Sequence, residues 1–141
     1  MCGFVGVASR KDINNSFIEE ADKFLTCRGP DDQKWSENSL NNYKTLFSFH
    51  RLSIIDLSPE ASQPMSSEEY NTEILFNGEI YNHLELRKEM ESGGIKFSTS
   101  HSDTETLLLG LSEHGSKFIE KVDGQFSIVL LNKNLNTITL I

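Results

Sequence analysis

The chain opens Met1-Cys2-Gly3, and a cysteine directly behind the initiator poses a chemical question. If Met1 is removed, one residue carries both a thiol and a free α-amine. An α-amine titrates close to neutral pH, so it can take the proton of a neighbouring nucleophile. Gly3, with no side chain, would let a substrate backbone approach. The plainer alternative is a small buried hydrophobe in a first strand, since free cysteine is among the most buried residue types. Position alone leaves both readings open.

Three further stretches carry groups that would serve such a thiol. In "LFNGEIYN" the Asn77-Gly78 pair follows a strand-like run. Asn-Gly commonly closes a hairpin, but the residues that follow look helical. A glycine at a strand end exposes its N–H beside the Asn77 side-chain amide, and two such donors are what a tetrahedral oxyanion requires. In "FHRLSII" Arg51 is flanked by strand formers. It either faces solvent or grips a carboxylate through its two-pronged guanidinium. In "SDTETLLL" Asp103 sits in a first helical turn, where an acid also suits the helix dipole. Together these make a thiol with its own amine, two oxyanion donors, a cation and acids. The set suits attack on an amide in a substrate carrying both a carboxylate and an ammonium. His50, His83, His101, His114 and the two cysteines show no metal-ligand spacing. Neither a Walker loop nor a GxGxxG run is present.

Composition narrows the setting. At 141 residues the chain fits one domain with a sizeable core. A net charge of −8 argues against a nucleic acid or an anionic membrane as main partner. No apolar run nears the ~18 residues of a membrane span, and Phe4–Ala8 is too short for a signal peptide. Cys2 and Cys27 do not form a disulfide framework, so a reducing, cytoplasmic compartment is expected. Asn14-Asn15-Ser16 matches a glycosylation sequon but is taken as chance.

The elements that must position these groups follow from periodicity. "CGFVGVAS" reads as a buried strand. "NNSFIEEADKFLTC" puts Phe17, Ile18, Ala21, Phe24 and Leu25 on one helix face, with acids and a lysine opposite. "RGPDD" ends that helix in a turn. "KTLFSFHRLSIID" predicts one or two strands, "LSPEASQPMSSEEYN" a long loop and "TEILFN" a strand. "NHLELRKEMES" predicts a short helix capped by Asn82 with Glu85 three residues on, stopped by Gly93-Gly94. "SDTETLLLGLSEHG" starts with a second such cap, Ser102 and Glu105, and turns Leu107, Leu108 and Leu111 inward. "SKFIEKV" adds a helical turn or two, and "GQFSIVLLNKNLNTITLI" predicts a hairpin. This order gives an α+β fold of antiparallel sheet packed by helices. The sequence stops at Ile141 within an apolar strand, which predicts a chain incomplete at its C-terminus.

The motifs "MCGFVGV", "RGPDD", "HRLSIIDLS", "QPM", "FNGEIYNHLELR", "SDTE" and "DGQFSIVLLN" occur in one order along the whole chain. In that order they closely resemble the glutaminase domain of asparagine synthetases. This is a class II glutamine amidotransferase domain of the N-terminal-nucleophile hydrolase type. "RGPDD", "RLSIIDLS…QPM" and "FNGEIYN" are more similar to that branch than to the phosphoribosyl- or sugar-amidotransferase branches.

The resemblance implies a four-layer α/β/β/α sandwich of two antiparallel sheets between helices. It implies that residues 1–141 are the N-terminal part of a type-2 glutamine amidotransferase domain whose synthetase domain lies outside this chain. It makes Cys2 the nucleophile after removal of Met1. Arg51, with the main chain of Leu52, Ser53, Ile54 and Ile55, would hold the α-carboxylate of L-glutamine. Asn77 and Gly78 would form the oxyanion hole, and Glu79 and Asp103 would receive the α-amine. No cofactor is implied for this domain; ATP and Mg belong to the synthetase domain, to which ammonia passes for amidation of aspartate. A homodimer is left open. Cys27 departs from the pattern, standing where these domains commonly carry histidine before "RGPD". Four alternatives are weighed: an amidotransferase for another acceptor such as a surface-polysaccharide precursor, a non-catalytic domain of the same fold, another amidohydrolase with an N-terminal nucleophile, and an ordinary binding module, against which the ordered motifs speak.

Overall fold

A computed structural model of the chain describes residues 2–54 and 57–141. Two antiparallel sheets lie face to face with helices on their outer sides, the expected four-layer arrangement. The first sheet has the order β1-β3-β2, from β1 (Gly3–Ser9), β2 (Asp32–Leu40) and β3 (Tyr43–Arg51). The second has the order β4-β5-β6-β7, from β4 (Met65–Ser67), β5 (Thr72–Ile80), β6 (Gly124–Asn132) and β7 (Thr137–Leu140). Helix α1 (Ser16–Leu25) covers the first sheet, packing on β1 and β3. Helices α2 (His83–Ser92) and α3 (Asp103–His114) cover the second, followed by a 3-10 turn over Gly115–Lys121.

Strand alternation sorts the core into two layers. Ile74, Phe76 and Ile80 of β5 and Ile128 and Leu130 of β6 face the helices, meeting Leu86, Met90, Leu107 and Leu111. The alternate residues Leu75 and Leu131 face the first sheet and meet Leu40, Phe47 and Phe49, with Cys2 and Phe4 packed alongside. Both leucines are fully buried, and truncating such a side chain to alanine costs about 2–5 kcal/mol.

One carboxylate lies at this inter-sheet layer. Glu73 of β5 is buried. It accepts from Ser36 Oγ at 2.5 Å and Asn38 Nδ2 at 3.1 Å, both on β2, and from Ser66 Oγ at 3.3 Å on β4. Lys133 Nζ stands 3.9 Å away. A buried carboxylate needs such partners, and here they tie one sheet to the other.

Several expectations are corrected. The α1 inner face is Ile18 with Asp22, while Phe17 and Phe24 are exposed. Asp22 points inward because β2 and β3 supply it with hydrogen-bond donors. Asp32 opens strand β2 instead of completing a turn. That strand escapes periodicity because it is a polar edge. Strand β1 is likewise an edge and only partly buried. The 57–71 segment is no open loop: it holds a 3-10 turn at Pro59–Ala61 and strand β4, with Ala61, Gln63 and Met65 buried. Asn82 makes no capping bond to α2. Its amide instead donates to the Lys121 carbonyl at 2.9 Å and accepts from Asp123 N–H at 3.0 Å. The cap at Ser102 does form, accepting from Glu105 N–H, but the Glu105 carboxylate turns to the N–H groups of Ser98 and Thr99.

Candidate active site

Cys2 precedes β1 and points between the sheets. The Leu52 N–H donates to its Sγ at 3.3 Å, and the thiol can donate to the Leu52 carbonyl at 3.6 Å. The residue is partly buried, neither sealed in the core nor free in solvent. Arg28 Nε donates to the Cys2 carbonyl at 3.1 Å. The "RGPDD" run thereby acts as a strap. Arg28 holds Cys2 at one end. At the other, Asp31 N–H donates to the Arg51 carbonyl at 3.0 Å and the Asp31 carboxylate accepts from Ser53 N–H at 2.7 Å. Gly29 between them packs directly on the His50–Arg51 peptide, where a Cβ has no room.

Arg51 ends β3 on its inner face and is buried. One of its nitrogens, Nη1, donates to the Ser58 carbonyl at 3.0 Å. Leu52 and Ser53 are partly buried and Ile54 is exposed at the rim. Ile55, also expected here, lies outside the described residues.

Asn77 and Gly78 lie within β5, opposite Ser127 and Phe126 of β6. The strand does not end at Asn77 as expected but continues to Ile80. Asn77 therefore faces the first sheet, and Gly78 passes so close to the Gln125–Phe126 backbone that no side chain fits. The Asn77 Oδ1 is buried without a hydrogen-bond partner among the described residues.

Asp103 opens α3, buried, with one oxygen accepting from Thr104 N–H at 2.8 Å and the other from Ile80 N–H at 3.4 Å. Burial pushes its carboxyl above the ordinary aspartate range, against the pull of the Ile80 N–H, the charge of His83 and the Thr104 N–H. Burial likewise lowers His83. Asp103 is thus a desolvated acid that a cation would relieve.

These residues converge. Cys2, Arg51, Leu52, Ser53, Ile54, Asn77, Gly78, Glu79 and Asp103 all line one cleft of about 140 Å³ between the sheets. Its wall includes residues sequence reasoning did not single out: Gln63, Thr104 and Gln125. Gln63 accepts from Phe76 N–H at 2.6 Å and donates to the Phe76 carbonyl at 3.1 Å and to Thr104 Oγ1 at 3.3 Å. It joins β5 to α3 directly beside Asn77. The one signal for it was a glutamine inside "SQPM", a segment otherwise read as loop. Cys27 does not line the cleft; it is exposed, its thiol directed at the Phe24 carbonyl at 3.3 Å. Among the described residues no cluster of His, Cys, Asp and Glu could hold a metal ion, and no helix is long and apolar enough to cross a membrane.

Known proteins are similar to this chain in sequence. The chain is 38% identical over 139 residues to "Asparagine synthetase [glutamine-hydrolyzing] 1" of Bacillus subtilis, covering 95% of this chain and 21% of that protein. It is 36% identical over 137 residues to "Probable asparagine synthetase [glutamine-hydrolyzing]" of Schizosaccharomyces pombe, covering 95% and 23%. It is 36% identical over 140 residues to the asparagine synthetase [glutamine-hydrolyzing] of Brassica oleracea, covering 97% and 22%. The chain therefore spans about a fifth of the length of these relatives. The family described as "Glutamine amidotransferase domain" matches residues 1–141 from end to end. With a cysteine thiol, paired amide donors, an arginine and a desolvated aspartate meeting in one cleft, the chain belongs to the glutamine amidotransferase domain family.

Proposed function

We propose that this chain hydrolyses the side-chain amide of L-glutamine through a Cys2 thioester. The supporting observation is the cleft that gathers Cys2, Arg51, Asn77, Gly78 and Asp103 from both sheets and a helix start. Once Met1 is removed, the Cys2 amine takes the thiol proton. The sulfur attacks the amide carbon, and the carbonyl oxygen becomes an oxyanion received by the Asn77 amide and the Gly78 N–H. The amine returns its proton to the departing nitrogen, giving ammonia and a thioester. It then activates a water that releases glutamate and restores the thiol. Preorganised donors aimed at the developing charge are the largest single contribution to such chemistry.

The substrate's other end explains the charged residues. Arg51, with the main chain from Leu52 to Ile55, receives the α-carboxylate; Glu79 and Asp103 receive the ammonium. Burying either charge alone would be expensive. The ammonia passes to a synthetase domain outside this chain, with aspartate as acceptor, in keeping with the names of the relatives. ATP and Mg belong to that reaction. Two free cysteines suit a reducing cytoplasm. The test is glutamate release from glutamine by protein whose mature N-terminus is defined by intact mass. Activity is expected only where Cys2 is the first residue; full activity with Met1 retained would defeat the mechanism.

A further inference from the structure

Asp22 of α1 is a buried carboxylate that no step above uses. Its Oδ1 accepts from Ser48 Oγ at 2.6 Å and from His50 Nε2 at 2.9 Å; its Oδ2 accepts from Gln33 Nε2 at 2.8 Å. A carboxylate oxygen accepts, so the bond to His50 is made by the tautomer that carries its proton on Nε2. One side chain thus fastens the helix to the central strand β3 at two points and to the edge strand β2 at a third.

The fastened end of β3 is the one that enters the cleft. His50 stands opposite Gly3 on one side, next to the nucleophile, and opposite Gln33 on the other. Arg51 follows it, and then Leu52, whose backbone meets Cys2 Sγ. Ser48 and His50 face α1, while Phe49 and Arg51 face the second sheet. A shift of the His50 side chain is therefore carried straight into Arg51 and Leu52. Placement errors of about 1 Å at a reacting centre cost on the order of 10²-fold.

We infer that Asp22 is a positioning residue for the cleft: through His50 and Ser48 it sets where the end of β3 presents Arg51 and Leu52 to Cys2 and the substrate. Asp22→Asn keeps this geometry, because one amide oxygen can still accept from Ser48 and His50 while Gln33 reverses its own amide. Asp22→Ala removes it. The inference rests on the proposed glutamine hydrolysis for one of its two readouts, and the other is independent of substrate. Leu52 offers the sulfur an N–H, which favours the thiolate, and a carbonyl, which favours the thiol, so displacing Leu52 should change the rate of Cys2 alkylation.

The test uses the full-length protein in a Cys27→Ser background, with Asp22→Ala, Asp22→Asn and His50→Ala. Cys2 alkylation by iodoacetamide at pH 7 and glutamine KM and kcat are measured on each. We expect Asp22→Ala and His50→Ala to raise KM about tenfold, to lower kcat several-fold and to change the alkylation rate several-fold, while Asp22→Asn stays near wild type in all three. If Asp22→Ala does not fold, the contrast between His50→Ala and Asp22→Asn carries the decision. A lowered thermal midpoint with KM and alkylation both unchanged overturns the inference and leaves Asp22 as a helix anchor. Should the wild type not hydrolyse glutamine, the proposed function fails, and the alkylation rates still decide the role of Asp22.

Discussion

Leu52 meets the Cys2 sulfur with both of its backbone polar groups, the N–H at 3.3 Å and the carbonyl at 3.6 Å. The carbonyl can bond only the thiol, and the N–H favours the thiolate. The two contacts together place the thiol, and the N–H alone still bonds the sulfur once the proton has left. A serine hydroxyl would satisfy the same groups. Cys2→Ser is accordingly expected to keep the wild-type thermal midpoint and to lose glutamine hydrolysis. Cys27→Ala, at an exposed thiol outside the cleft, is expected to change neither. Scanning calorimetry and glutamate release on the same samples check this; activity lost in Cys27→Ala and kept in Cys2→Ser would assign the other thiol.

Arg51 offers a planar fork, and lysine offers a point charge. Charge-assisted hydrogen bonds contribute roughly 1.5–3 kcal/mol, so Arg51→Lys is expected to lower kcat/KM for glutamine by about 10- to 150-fold. Steady-state kinetics read this directly. A change below twofold would take the guanidinium away from the substrate carboxylate.

Asp103 gives opposite signs for stability and function. Burial raises its folded-state pKa above the ordinary aspartate value, so the folded protein holds that proton more tightly than the unfolded chain. Its burial penalty is absent below the unfolded value of ~3.9 and grows as pH rises to the folded value, above which it is complete. At pH 7 Asp103→Asn should therefore match or exceed the wild-type thermal midpoint, an advantage that fades toward pH ~4. The same substitution should raise glutamine KM about tenfold or more, because the ammonium loses its counter-charge. A lower midpoint at pH 7 with KM unchanged would make Asp103 a residue that serves only the start of α3.

Asn77 has a buried amide oxygen with no partner among the described residues. Asn77→Ala removes that unmet group, so stability should not fall. Loss of one oxyanion donor should lower kcat by about 10²–10³ with KM near wild type. Equal losses in kcat and thermal midpoint would identify a structural role instead.

Gly78 lies against the backbone of Gln125 and Phe126. Gly78→Ala must part β5 from β6 beside the oxyanion site. The expected cost is about 1–3 kcal/mol in urea denaturation, with hydrolysis falling further than folded protein does. Wild-type stability would show that β6 yields more readily than its packing indicates.

The cleft was legible in the sequence because its residues announce themselves by chemical type: a second-position thiol, an arginine among strand formers, an Asn-Gly pair. Each of Cys2, Arg51, Asn77, Gly78, Glu79 and Asp103 lines it. The supports were less legible, since hydrogen bonds across the chain decide them. Asp22 reads as solvated by its residue type, although it stands one helical turn after Ile18, and Ser48, His50 and Gln33 make its burial tolerable. Phe17 and Phe24 read as core yet are exposed. Asn82 matches a helix cap by spacing, but the loop around Lys121 and Asp123 takes up its amide. Strand β2 has few apolar residues because it is an edge strand beside β3 that meets the second sheet and α1 through the polar groups of Ser36, Asn38 and Gln33.

Cys2 enters the cleft from the first sheet, and Asn77 from the second. The gap between nucleophile and oxyanion donor is therefore a distance between two slabs. Oily faces grip each other without regard to direction, and two slabs joined only by leucine and phenylalanine could creep sideways at little cost. Glu73, bonded to Ser36 and Asn38 on the opposing slab, works like a dowel. It sits four residues along β5 from Asn77 and converts a slippery joint into a keyed one.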